Sequence, residues 1–220
     1  PHIHTVLNGF DPEIIDPVRP VRLDDDRIVL LHAGSLYGPR SPMGLLEGMK
    51  IFTQNHPDQA RRILMVFLGL TSYNGRSLRE LARSFEVGSC IRVIAPVPHE
   101  QALALLKGAD VAVLFGQSGA EALASIPAKA YEYIGAGKAV LAIGAGDELC
   151  GVIQRGGCRL WRCPDEPERI ALVLKNIVDV ITNPQAERKP DPQARYSLTR
   201  SHMARELSSL LERVSGSHKK

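Results

Sequence analysis

Six short apolar runs punctuate the chain, and between them lie stretches in which apolar residues return every three or four positions. The runs are Ile28–Ala33, Ile63–Gly69, Cys90–Ala95, Val111–Phe115, Ala139–Ile143 and Cys158–Arg162. They are rich in valine, isoleucine and leucine and do not alternate with polar residues. Such runs suit strands covered on both faces, as in a parallel sheet. Helical periodicity fills the intervals at Met43–Gln54, Gly75–Phe85, Glu100–Lys107, Pro127–Ala136 and Asp147–Gln154. This alternation predicts an α/β fold: a doubly wound, Rossmann-like, six-stranded parallel sheet with right-handed crossovers and strand order 3-2-1-4-5-6.

Two further helices are expected near the end. Glu166–Ile181 carries Ile170, Leu174, Ile177 and Ile181 on one stripe, and Ser197–Val214 carries Leu207, Leu210, Leu211 and Val214. The polar, proline-rich stretch 183–195 between them reads as a connector. The opening residues read like the middle of a protein, with a strand-like piece at His4–Leu7 running into an Asn-Gly turn. A preceding N-terminal portion is therefore expected. Three divisions follow: 1–27 as a linker with a strand remnant, 28–182 as the sheet domain, and 183–220 as connector and terminal helix.

Composition narrows the function classes. A chain of 220 residues with a net charge of +3 and 5% aromatic residues lacks both the basic surface and the stacking rings of a nucleic-acid binder. Cys90, Cys150, Cys158 and Cys163 form no CxxC pair and have no histidines at zinc spacing. They read as reduced, buried thiols of a cytoplasmic protein. No apolar run is long enough for a transmembrane segment.

In open sheets of this kind, ligands bind beyond the carboxyl ends of the strands. After the first strand comes "GSLYGPRSP" (34–42), where Gly34 and Gly38 let backbone approach a ligand and Arg40 is in reach. A helix starting at Ser41-Pro42 offers free amides to an anion. An ordinary loop with a surface arginine fits these residues too. The segment is neither a dinucleotide fingerprint nor a Walker A loop. After the third strand, "PVPHE" (96–100) is stiffened by prolines, and His99 reads as a surface residue at a helix start.

After the fourth strand, small residues lead to Pro127, which leaves the amides of Ala128, Lys129 and Ala130 without intrahelical partners. Lys129 sits in that first turn, where the helix dipole disfavours a cation by about a few tenths of a kcal/mol. It is either a surface lysine or one that faces an anion. Further along, Ile126, Ala130, Tyr133 and Ile134 point to the core, while Glu132 shares its side with Ala128, Gly135 and Ala136. Those small residues leave room around a carboxylate that suits a vicinal diol. On composition alone Glu132 reads as a solvated helix face.

Taken in order, "VLNGFD" (6–11), "HAGSLYGPRSP" (32–42), "PVPHEQALALLKGADVAVL" (96–114), "IPAKAYEYIGAGKAVLA" (126–142) and "YSLTRSHMARELSSLLERV" (196–214) resemble the C-terminal half of the GT-B glycosyltransferases, in particular glycosyltransferase family 4. The resemblance implies a domain at 28–182 that binds a nucleotide-diphosphate sugar as substrate, with no cofactor and no metal. The acceptor would lie on an N-terminal domain of the same protein, and this chain alone would be inactive. Glu132 falls on the second glutamate of the family's donor motif, which holds the ribose. The first falls on Ala124, a departure for which Lys129 stands in. The family's arginine and lysine against the diphosphate fall on Ser35 and Arg40. The implied substrate-binding residues are thus Gly34, Ser35, Arg40, Val97, Ala128, Lys129 and Glu132. The base would lie along backbone at Pro96–Pro98, and no catalytic residue is assigned. The full protein would be cytoplasmic, with peripheral membrane association left open.

Other classes fit less well. A nicotinamide oxidoreductase would need the missing glycine fingerprint and an acid closing the second strand. A phospho-acceptor receiver would need acids where Ala33 and Ala95 stand. A non-catalytic nucleotide-binding or signalling α/β module stays open because of Ala124.

Overall fold

The computed structural model describes residues 3–36, 40–116, 126–183 and 192–216. The elements, in chain order, begin with α1 (Pro12–Ile15), β1 (Ile28–Ala33), α2 (Met43–Asn55), α3 (Pro57–Ala60) and β2 (Ile63–Leu68). A small hairpin follows, β3 (Ser72–Tyr73) and β4 (Arg76–Ser77), then α4 (Leu78–Ser84), β5 (Ile91–Ile94) and α5 (His99–Gly108). The second half holds β6 (Val111–Phe115), α6 (Ala128–Gly135), β7 (Ala139–Ile143), α7 (Asp147–Arg155), β8 (Leu160–Cys163), α8 (Pro167–Ile181), α9 (Pro192–Tyr196) and α10 (Arg200–Gly216).

Six of these strands form one sheet in the order β5-β2-β1-β6-β7-β8, with every neighbour parallel. Counted along the chain this is 3-2-1-4-5-6, the expected order. The unbroken apolar runs of β1 and β2 reflect burial on both faces of the sheet. Ile28 and Leu30 face one layer, with Leu45, Met49 and Phe52 of α2 and Ile170, Leu174 and Ile177 of α8. Val29 and Leu31 face the other, with Leu103 of α5, Tyr133 and Ile134 of α6, and Val152 of α7.

Several expected boundaries move. The helix expected from Gly75 starts at Leu78, because Asn74 (φ 49°) and Gly75 (φ 75°) make the tight turn of the β3–β4 hairpin. The last strand begins at Leu160 rather than Cys158, since Gly156–Cys158 close the end of α7 through backbone bonds to Val152, Gln154 and Ile153. The strand expected at His4–Leu7 is absent: that segment has no regular structure, and Phe10 alone bridges to Thr199. The presumed connector gains the short α9, and the presumed linker gains α1.

The first residues are pinned to the last helices. Phe10 N donates to Leu198 O at 3.1 Å and Arg200 N donates to Phe10 O at 2.9 Å. Arg200 also pairs with Asp11 at 2.7 Å, and Arg195 with Asp16 at 2.5 Å. Phe10 and Ile15, each 3% exposed, wedge against Gly135 of α6.

Candidate functional site

The switch point of the sheet lies between β1 and β6. These strands pair only through Leu30 with Val111 and Leu31 with Ala112, then part toward their carboxyl ends. Tyr133 of α6 fills the gap. Its hydroxyl accepts from Ala33 N at 3.1 Å and donates to Val113 O at 3.5 Å. Complete burial pushes its pKa well above the ordinary phenol value, so it is a neutral bridge.

His32, 1% exposed, completes this floor. Its Nδ1 lies 3.0 Å from Val113 O. A carbonyl only accepts, so Nδ1 carries the hydrogen and Nε2 keeps a lone pair. That Nε2 has no hydrogen-bond partner among the described residues. Phe115 and Phe67 pack edge-on, with centroids at 5.0 and 6.3 Å. Burial, then the charge of Lys129, push the imidazole pKa down to about 3, so it stays neutral at any physiological pH.

Above this floor stand the cations. Lys129, in the first turn of α6, reaches back so that Nζ lies 3.4 Å from Ser35 O. A Cβ at Gly34 would stand 3.1 Å from Nζ, a contact the flexible lysine can relieve by a small shift, but the backbone there has φ of +95°. That left-handed conformation is the reason position 34 favours glycine. Burial comes first and the charge of Arg40 second in pushing the Lys129 pKa down to about 8, with Glu132 opposing them. Arg40 is partly buried, and its Nε has no partner among the described residues. Two cations thus share the carboxyl ends of β1 and β6, at the free amides of α6.

Glu132, one turn into α6, is partly exposed, and its Oε1 lies 3.0 Å from His99 Nε2. It borders a hollow of about 160 Å³ together with Asn8, Asp11, His99, Ala128 and Tyr131. The expectation that Gly135 makes room for this carboxylate is wrong. A Cβ on Gly135 would meet Ile15 at 2.6 Å and Phe10 at 2.7 Å, so that space is taken by the N-terminal segment. The open side of Glu132 faces the hollow instead.

The structure therefore brings Gly34, Ser35 and Lys129 into contact and sets Arg40 and Glu132 within electrostatic reach of the same ammonium. Ala128, exposed, begins α6, and Val97, partly exposed, lies on the loop that leads into α5. Ala124 and Gly38 lie outside the described residues. Sequence reasoning read His99 only as a surface residue at a helix start, and passed over His32 and the bridging role of Tyr133. Each is joined to the site by contacts between residues 20 to 100 positions apart, which no local pattern encodes. A larger hollow of about 550 Å³ lies along α7 between Leu7, Ile126, Glu148 and Arg155. It contains none of the site residues, so size alone does not mark the site. Among the described residues no three His, Cys, Asp or Glu side chains gather as a metal site, and no helix is long and apolar enough to cross a membrane.

No protein-family model matches the chain. It is 28% identical over 226 residues to the D-inositol 3-phosphate glycosyltransferase of Corynebacterium kroppenstedtii, covering 96% of this chain and 48% of that protein. Among solved structures it is similar to the sucrose-phosphate synthase of Thermosynechococcus elongatus, with a TM-score of 0.61, 16% identity, and 96% of this chain and 52% of that one covered. It is also similar to HepE of Anabaena, solved in complex with UDP, with a TM-score of 0.61, 15% identity, and 94% and 56% covered. The chain spans about half the length of the proteins it matches. At these identities the structural likenesses establish the fold.

Proposed function

We propose that this chain, which has the fold of the C-terminal domain of a GT-B glycosyltransferase, is the donor-binding half of such an enzyme. It would bind a nucleotide-diphosphate sugar, whose glycosyl group passes to an acceptor held by a preceding N-terminal domain. The observation that carries the reading is the pair Arg40 and Lys129 at the switch point, with the lysine pushed down to about 8 by burial and by its cationic neighbour. An anion between them relieves both the desolvation of Lys129 and the repulsion.

Chemistry follows from where charge develops. As the bond from the sugar carbon to the diphosphate oxygen breaks, negative charge grows on the leaving diphosphate. Arg40, Lys129 and the amides of Ala128 and Lys129 would donate to that charge. In this reading they act in place of a metal ion. Ser35, where the family has a cation, contributes only backbone: its carbonyl holds Lys129. The ribose diol lies on Glu132 and the base along the backbone at Val97. Four buried thiols fit a reducing, cytoplasmic setting.

A second reading, a nucleotide-binding module without transfer activity, is favoured by Ala124 and Ser35 standing where the family carries charges. Both readings need nucleotide binding, so binding is tested first. A thermal-shift panel of UDP-, GDP- and ADP-sugars is expected to show one base class stabilising the chain by about 2.7 kcal/mol at a hundred times its dissociation constant. No shift with any of them sinks both readings. Glu132→Gln keeps the size of the side chain but exchanges an acceptor for a donor. It is expected to cost about 1–3 kcal/mol in nucleotide affinity by calorimetry, with folding stability nearly unchanged.

A further inference from the structure

Glu132 is partly open to solvent and yet has a fixed partner. His99 is the first residue of α5, and the helix cap before it is Pro98, whose ring holds φ at −53°. From there His99 crosses to α6 and places Nε2 3.0 Å from Glu132 Oε1. A carboxylate only accepts, so Nε2 carries the hydrogen. The two residues come from the helices that follow β5 and β6, on opposite sides of the switch point.

Stability is a poor explanation for this contact. The side chains are 60% and 39% exposed, and ion pairs of such exposure contribute little. Orientation is a better one. A glutamate side chain loses much of its rotamer freedom when it is fixed. If it is fixed before the ligand arrives, that loss is not charged to binding. A carboxylate has about four lone-pair sites. His99 occupies one on Oε1, leaving both oxygens able to accept. Both residues border the hollow of about 160 Å³, so the remaining lone pairs have space before them.

We propose that His99 is the positioning residue of the diol clamp, donating from Nε2 to Glu132 Oε1 and holding the carboxylate toward the ribose of a bound nucleotide. The proposal rests on the donor-half reading. His99 touches neither the diphosphate nor the glycosyl bond; it acts through Glu132. The stiff Pro98-His99 step ties the clamp to the loop at Val97, so base seat and ribose seat are held at a fixed spacing.

Calorimetry with UDP, GDP and ADP, each beside its 2′,3′-dideoxy analogue, tests this. The wild-type chain is expected to prefer the ribose form of the one base it accepts. His99→Ala is expected to lose roughly 3–10-fold in affinity for that form, the equivalent of one side chain left to be ordered on binding, and nothing for the dideoxy form. His99→Gln, which keeps an N–H donor, is expected to recover most of the loss. The dideoxy arm also reports folding, since a misfolded variant loses both ligands. If the wild-type chain binds none of the nucleotides, or shows no ribose preference, the clamp itself is refuted. If it does prefer ribose and His99→Ala keeps the full preference, the clamp stands and the role of His99 is overturned.

Discussion

Replacing Lys129 with methionine is expected to make the unliganded protein more stable and to cripple its binding of nucleoside diphosphates. The two effects have one cause. Lys129 lies in the first turn of α6, where the helix dipole is positive. It is largely removed from water and close to the charge of Arg40. All three disfavour an ammonium, and its bond to Ser35 O is long at 3.4 Å. Methionine keeps the reach of the chain and drops the charge, so a gain on the order of 1 kcal/mol is expected in urea denaturation. Nucleoside-diphosphate affinity is expected to fall by about 1.5–3 kcal/mol in calorimetry, because the lost contact is charge-assisted. A variant that is less stable and binds as before would make Lys129 a structural strut.

The same lysine predicts pH dependence of definite sign. Its folded pKa is about 8, against roughly 10.4 in an unfolded chain. Between these values the unfolded chain holds more protons, so the contribution of this group to stability rises with pH across that window. Affinity for a nucleotide-diphosphate sugar, which carries no phosphate proton near neutral pH, moves the other way: it falls as pH rises through 8, when the free site loses its charge. Both slopes vanish in Lys129→Met.

Gly116→Val is expected to be the most destabilising substitution at the rim of the site. Gly116 follows β6, and its N donates to Ile143 O at 2.7 Å. A Cβ there would stand 2.3 Å from Gly144 O and 2.5 Å from Ala145 Cα. Those atoms are backbone of the turn after β7, so no side chain can move aside. Two parallel strands must separate instead, at a cost of about 3 kcal/mol or more. Gly151 is the contrast: it lies within α7, and a Cβ added there would meet nothing within 4 Å. Gly151→Ala is expected to stabilise by about 0.5–1 kcal/mol, the usual helical difference. Urea denaturation of the two variants side by side checks both signs.

Much of the fold was legible because burial on both faces leaves a continuous apolar run, and crossovers between parallel strands must be long enough to hold a helix. The runs at Ile28–Ala33, Val111–Phe115 and Ala139–Ile143 appear as strands with those bounds. Ends were less legible where two local choices compete. At Gly75–Ser77 the helical period extends backward into residues that instead make a hairpin, since Asn-Gly favours a left-handed turn over a helical one. In the first residues, Phe10 and Ile15 carry no period at all, and their burial depends on Gly135 and on Leu198 at the far end of the chain.

For the site, local sequence determined which groups were on offer: a lysine in a helix's first turn, glycine where the backbone must turn beside it, a glutamate one turn on. These follow from backbone chemistry within a few residues. Only the tertiary structure decided what those groups became. The pKa of Lys129 is pushed down to about 8 because folding removes water from it and brings up Arg40 from 89 positions away. Glu132, still partly open to solvent, has a fixed partner because α5 delivers His99 to it. Charge and hydrogen-bond partners act over a few ångströms of space, and the sheet order, not sequence distance, sets who stands within that range.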